Sequence, residues 1–216
     1  MLLSAVISVR NLVGVLLLTL LCGNSLAADA ATPDKTILVL GDSISAGFGI
    51  PLQQGWVALL GKELQRSGAS VKLINASISG ETTSGGLSRL PQLLQQHQPH
   101  LLILELGGND GLRGTPIKLI KNNLQRIISL TTQTKGDVLL IGMQIPPNYG
   151  RKYSNLFREI FPTLASENAT RLVPFLLEDV ATKPAMMQPD GIHPTTAAQP
   201  LMMQQVLPEV QSWLSP

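Results

Sequence analysis

Apolar runs of strand length alternate along this chain with segments of helical period, and that alternation constrains the fold more than any other feature. Thr36 to Leu40, Val71 to Ala76, Leu101 to Leu106, Val138 to Met143 and Leu172 to Phe175 are short and rich in Leu, Ile and Val. A strand that is apolar throughout must be covered on both faces, and helices between successive strands make the sheet parallel. The pattern predicts an α/β chain, a three-layer α/β/α sandwich around a central five-stranded parallel sheet. The helical segments carry their own signals. Trp56, Leu59, Leu60 and Leu64 share a face that Gly68 ends, and Thr115 with Pro116 reads as N-cap and first turn. A last helix runs from Thr195 to about Trp213, bent or delayed by Pro200. With 44% apolar residues and no repeat, low-complexity stretch or interdomain linker, the 216 residues suit one domain.

The first 27 residues stand apart from that pattern. Arg10 precedes an uncharged run from Leu12 to Cys22, and Ser25-Leu26-Ala27 offers small residues where a signal peptidase cuts. The expectation is a signal peptide over 1–27, cleaved after Ala27 or alternatively Ala30, and one domain over 28–216. An uncleaved membrane anchor is the competing reading, but Arg10-Asn11 interrupts the ~20 apolar residues a span requires. Leu21 before Cys22 is unlike a lipoprotein cleavage site. Cleavage removes Cys22, leaving a mature chain with no cysteine and hence no disulfide, and it lowers the net charge from +2 to about +1. Such a balance attracts neither nucleic acid nor an anionic bilayer.

Chemistry concentrates at the ends of the apolar runs. Gly41-Asp42-Ser43 follows the first, and Asp190-Gly191-Ile192-His193-Pro194 lies near the other end of the chain. A serine hydroxyl becomes a useful nucleophile only when a histidine takes its proton, and the histidine needs a partner to fix its tautomer. Ser43, His193 and Asp190 fit these roles, Asp190 and His193 being close enough in sequence to meet in a tight turn. The order Ser, Asp, His also occurs in α/β-hydrolases, but their Gly-x-Ser-x-Gly elbow is absent here. Donors for a developing oxyanion are expected from the Ser43 N–H, the N–H of Gly80 and the amide of Asn109, the last two each following a strand. Removing one such donor costs roughly 3 to 4 kcal/mol of transition-state stabilisation.

In order along the chain, Gly41-Asp42-Ser43, Gly80, Gly108-Asn109-Asp110 and Asp190-x-x-His193 resemble the four motif blocks of the SGNH (GDSL) hydrolases. The stretches Asn75 to Thr82, Glu105 to Gly114 and Pro147 to Arg151 are similar to the bacterial periplasmic branch of thioesterases, proteases and lysophospholipases, and the likeness spans nearly all of the mature chain. The resemblance implies a flavodoxin-like fold and hydrolysis of acyl thioesters, lysophospholipids and simple aryl or alkyl esters through an acyl-serine. It implies Ser43 as nucleophile, His193 as base and then acid, Asp190 as its orienting partner, and Ser43, Gly80 and Asn109 as the oxyanion hole. Beside it stand the expectations of no cofactor or metal, a small-molecule acyl ester or thioester as partner, a monomer, and export to the periplasm or, alternatively, secretion. A carbohydrate acetyl esterase and a non-catalytic lipid carrier share the scaffold and remain alternatives.

The remaining features have structural readings. Asp42 is expected to cap or brace the nucleophile, Asp110 to tie down the Asn109 loop, and Asn75 to hold the loop before Gly80. Gly55 to Lys62 fails as a phosphate loop in both spacing and its terminal Glu63, and Gly47-Phe48-Gly49 lacks a third glycine. His97 and His100 flank a helix end as solvated side chains, which leaves no metal set. Phe48, Ile145, Pro146, Pro147, Tyr149, Met186 and Met187 are candidates for an acyl groove, with a core role equally open for the two methionines. Ser84-Gly85-Gly86 is expected to move on substrate entry. Activity should rise from acid toward mildly alkaline pH, about the ordinary histidine value of ~6.5.

Overall fold

The structure is a computed structural model that describes residues 33–215, so the segment read as a signal peptide lies outside the described residues. Five strands, β1 (Lys35–Gly41), β2 (Val71–Asn75), β3 (Leu101–Glu105), β4 (Asp137–Ile141) and β5 (Arg171–Val173), form one sheet in the order β2-β1-β3-β4-β5. Every neighbouring pair is parallel. The helices are α1 (Ser43–Ala46), α2 (Trp56–Arg66), α3 (Thr83–His97), α4 (Gly108–Leu112), α5 (Ile117–Gln133), α6 (Arg151–Asn168) and α7 (Gln199–Leu214).

Strand alternation divides the core in two. Leu38, Leu40, Leu102, Leu104 and Leu140 face one side and pack with residues of α3, α5 and α6. Their chain neighbours Ile37, Val39, Leu101, Ile103, Leu139 and Ile141 face the other and pack with α2 and α7. All five residues of β3 are buried, as the central strand of a doubly covered sheet must be. Each such side chain contributes roughly 1.5–3 kcal/mol relative to exposure, so the sheet's rigidity is set by these two layers.

Local chemistry explains where the elements depart from the sequence pattern. β5 stops at Val173 rather than Phe175 because Pro174, with no N–H, cannot continue the ladder. Pro116, not Thr115, is the N-cap of α5. Thr115 belongs to the preceding turn, its N–H on Asp110 O at 2.9 Å and its carbonyl accepting from Tyr153 Oη at 2.7 Å. At the C-terminus a single 3-10 turn, Thr196–Ala198, precedes α7, which takes Pro200 in its first turn where no N–H is needed. His100 is not merely solvated, since its Nδ1 accepts from Thr36 N at 3.0 Å at the start of β1.

This strand order reverses direction between β1 and β3. In open α/β sheets the crevice beyond the carboxyl ends at such a switch point is where ligands bind. Asp42-Ser43 leaves β1 there, and Gly107 to Asp110 leaves β3 beside it.

Candidate active site

Ser43 is held by the turn between β1 and α1. Asp42 Oδ1 accepts from Ile44 N at 3.0 Å, the Asp42 carbonyl accepts from Ala46 N at 2.9 Å, and Gly47 closes the single turn in the left-handed region. The chain can fold this tightly because Gly41 has no side chain. A Cβ there would lie 2.5 Å from Glu105 Oε2 and 2.8 Å from Ser45 Cβ and Oγ. Ser43 is only 8% exposed, so its hydroxyl is largely screened from water.

The histidine arrives on a separate loop. Met187 pairs with Pro194 in an antiparallel bridge, Gln188 N donates to His193 O at 2.7 Å, and Gly191 turns with φ +67. Inside this loop Asp190 Oδ1 accepts from Ile192 N at 2.9 Å and His193 N at 3.0 Å, while Oδ2 lies 2.6 Å from His193 Nδ1. The His193 backbone N–H, the imidazole and the Ile192 N–H together lower the Asp190 carboxyl to about 2. Asp190 is thus an acceptor at any ordinary pH, which puts the proton of a neutral imidazole on Nδ1. Nε2, 2.8 Å from Ser43 Oγ, is then the lone pair available to the hydroxyl. Residues 150 positions apart are brought into a Ser-His-Asp relay.

Asn109 reaches Asp42, next to Ser43, and the carbonyl of Glu81, which follows Gly80. Gly80 takes φ +80, and a Cβ there would meet nothing within 4 Å, so its backbone stands open on that side. Arg89 shapes the loop by donating to Glu81 Oε2 at 2.7 Å and Ala76 O at 3.0 Å. Asn75 donates to Ser45 O at 2.8 Å, and Asp110 accepts from Thr83 N and Oγ1 at 2.8 Å each. Both residues therefore hold loops. The Asn109 amide differs from the simple expectation. Its Nδ2 donates to Asp42 Oδ2 at 3.1 Å and Glu81 O at 3.0 Å, so both amide hydrogens have acceptors within the protein.

Beneath Ser43 lies a pair of carboxyls, Asp42 and Glu105. Burial raises Asp42 to about 6 against the pull of the Ile44 N–H, His193 and Asn109. Glu105, 0% exposed, is pushed well above the usual carboxyl range by burial and then by Asp42. Its Oε2 accepts from Asp42 N at 3.1 Å and Ser45 Oγ at 2.6 Å, whereas the buried Oε1 has no partner among the described residues. Glu105 props up the Asp42-Ser43 turn, in surroundings that favour its protonated form. Sequence reasoning missed this role, although a carboxylate ending the all-apolar run Leu101 to Leu104 was the available signal.

A mostly apolar cavity of about 490 Å³ opens beside the relay. Ile145, Pro146 and Met187 line it as the groove reading expected, joined by Leu112, Phe175 and Leu177, which it did not include. Phe48, Tyr149 and Met186 lie outside the lining. Phe48 instead places its ring 4.5 Å from the His193 ring, Tyr149 is 40% exposed, and Met186 packs against the core. The Pro147 side chain lies outside the described residues.

A sheet with a switch-point crevice, a serine hydrogen-bonded to a histidine in it and an apolar cavity alongside are the parts of a serine hydrolase acting on acyl compounds. The chain belongs to the GDSL-like lipase/acylhydrolase family, whose sequence model matches residues 39–200. It is 48% identical over 181 residues to an arylesterase of Vibrio mimicus, covering 84% of this chain and 90% of that one. It is 42% identical over 196 residues to thioesterase 1/protease 1/lysophospholipase L1 of Escherichia coli, covering 91% and 90%. The crystal structure of the psychrotrophic esterase EstA from Pseudoalteromonas sp., inhibited by monoethylphosphonate, superposes with a TM-score of 0.80 at 40% identity, over 84% of this chain and 99% of that one.

Proposed function

We propose that this chain is an exported acyl-ester hydrolase that cleaves acyl thioesters, lysophospholipids and simple aryl or alkyl carboxylic esters through an acyl intermediate on Ser43. The observation that carries this reading is the continuous relay from Ser43 Oγ to His193 Nε2 at 2.8 Å and from Nδ1 to Asp190 at 2.6 Å. The names of the Vibrio and Escherichia relatives support the substrate classes.

In the first half-reaction His193 Nε2 takes the Ser43 proton as Oγ bonds the carbonyl carbon, and the carbonyl oxygen gains the negative charge. The N–H groups of Ser43 and Gly80 receive that oxygen. For Asn109 to join them, its amide shares or exchanges one of its bonds to Asp42 and Glu81, an adjustment that draws its donation toward the transition state. The intermediate collapses with the proton passing from Nε2 to the leaving thiol or alcohol. Water then attacks the acyl-serine with His193 again as base, which releases the acid and restores Ser43. No cofactor is required.

The apolar cavity favours an acyl chain of several carbons over an acetyl group alone, which sets this reading above carbohydrate deacetylation. Residues 1–27 serve as a cleaved signal and 28–216 as one catalytic domain working in the periplasm as a monomer. The test is a panel of acyl-CoA, p-nitrophenyl ester and lysophospholipid substrates of graded chain length, run on the mature chain and on Ser43→Ala. Turnover should grow with chain length beyond acetyl and vanish in the variant. A sharp preference for acetyl esters overturns the substrate assignment.

A further inference from the structure

We infer that Gln188 is a positioning residue for the reaction, a clasp that fastens the loop carrying His193 to the turn that follows Ser43, and that the acyl-serine stage depends on it most. The inference rests on the Ser43 and His193 roles proposed above.

Gln188 Nε2 donates to Phe48 O at 2.8 Å and to Pro194 O at 3.0 Å. Phe48 is tied to the nucleophile, its N–H donating to Ser43 O at 3.0 Å, and Pro194 directly follows His193. One NH2 group has two hydrogens, and here one serves each side of the Ser43–His193 contact. The opposite amide orientation would face an oxygen toward two carbonyl oxygens, so the donor assignment is fixed by its partners. The main chain of the same residue closes the histidine loop, with N donating to His193 O at 2.7 Å and O accepting from Gly191 N at 2.9 Å. Gly49 makes room for the side chain. A Cβ there would lie 2.3 Å from Gln188 Oε1.

The histidine loop makes no strand pairing with the sheet. Among the described residues, two hydrogen bonds join 184–196 to 41–55, the Ser43–His193 bond and the Gln188–Phe48 bond. The first cannot persist through the reaction. Once Oγ is esterified it has no proton to give the imidazole, so during deacylation the Gln188 bond is the remaining direct one between these segments, beside the bridge in which Gln199 accepts from Trp56 N at 2.9 Å and donates to Thr195 O at 3.2 Å. The Phe48 ring, 37° from the His193 ring plane, adds contact but no directional bond. Without the clasp, His193 is less well placed to activate water while the acyl group is in place.

The test is kinetic. In Gln188→Leu, with p-nitrophenyl esters, kcat should fall roughly tenfold, on the scale expected for a displaced base. KM should fall with it, because acylation, read as kcat/KM, changes less than about threefold. Intact-protein mass spectrometry at steady state should then show acyl-enzyme accumulating. A structural role alone lowers the active fraction and scales kcat and kcat/KM together. That result, or wild-type kinetics in Gln188→Leu, overturns the inference. An acyl adduct that survives Ser43→Ala overturns the underlying reading instead.

Discussion

On the proposed mechanism single residues divide into groups that react and groups that hold them. Ser43→Ala and His193→Ala should lower kcat by at least about a thousandfold while the circular dichroism spectrum and urea midpoint stay close to those of the parent chain. Asn109→Ala should act chiefly on kcat, and it also removes a donor from Asp42, so a small loss of stability accompanies it. Glu105 provides a sharper contrast. Glutamine keeps an acceptor oxygen for the Asp42 N–H and the Ser45 hydroxyl, so Glu105→Gln should lose less stability at pH 7 than Glu105→Leu. Glu105→Leu leaves the Asp42 N–H and the Ser45 hydroxyl buried without their acceptor and should cost roughly 1–3 kcal/mol for each, measured by urea unfolding. Equal behaviour of the two variants contradicts a propping role for the carboxyl.

Among the elements, how much could be read from the sequence depended on how local the cause was. The strands β1 to β4 follow from apolar runs, and the relay from short motifs whose chemistry requires the residue types present. β5 ends inside the apolar run Leu172 to Phe175 because apolarity does not register Pro174, whose missing N–H stops the ladder. The cavity was only partly legible, since its walls come from separate loops and no periodicity records which of their side chains meet. Phe48 was expected in the groove because it is apolar and near Ser43, yet its ring found the His193 imidazole from a loop far away in sequence. Where β4 leaves the sheet the structure gives a test that the sequence could not. A Cβ on Gly142 would clash with Pro174 O, a backbone atom rather than the end of a flexible side chain. Gly142→Ala should therefore destabilise by roughly 3 kcal/mol in urea unfolding and disturb the cavity wall. A loss under ~0.5 kcal/mol would mean that the ends of β4 and β5 are looser than described.

For the whole molecule, the buried carboxyls set how stability responds to pH. Asp42 titrates at about 6 in the fold, against about 3.9 for an unfolded Asp, so the native state binds more protons between those values. Stability gained there is complete below about pH 4 and is lost as pH rises through 6, with Glu105 extending the loss in the same direction. Asp190 works oppositely. Its lowered carboxyl contributes stability that is complete above about pH 4 and disappears as pH falls toward 2, discounted because the group is partly exposed. The urea midpoint should accordingly be highest near pH 4 to 5 and decline toward neutrality, and a midpoint rising steadily from 4 to 7 would contradict the raised titration of Asp42. Activity belongs to the same scale, because one loop from the front of the chain and one from the back must meet for any turnover. The most direct measurement of that meeting is the mass and position of the adduct formed with a fluorophosphonate. The account predicts one adduct per chain, mapped to Ser43, absent in Ser43→Ala and formed far more slowly in His193→Ala. An adduct on another residue, or one formed at the parent rate without His193, would contradict it.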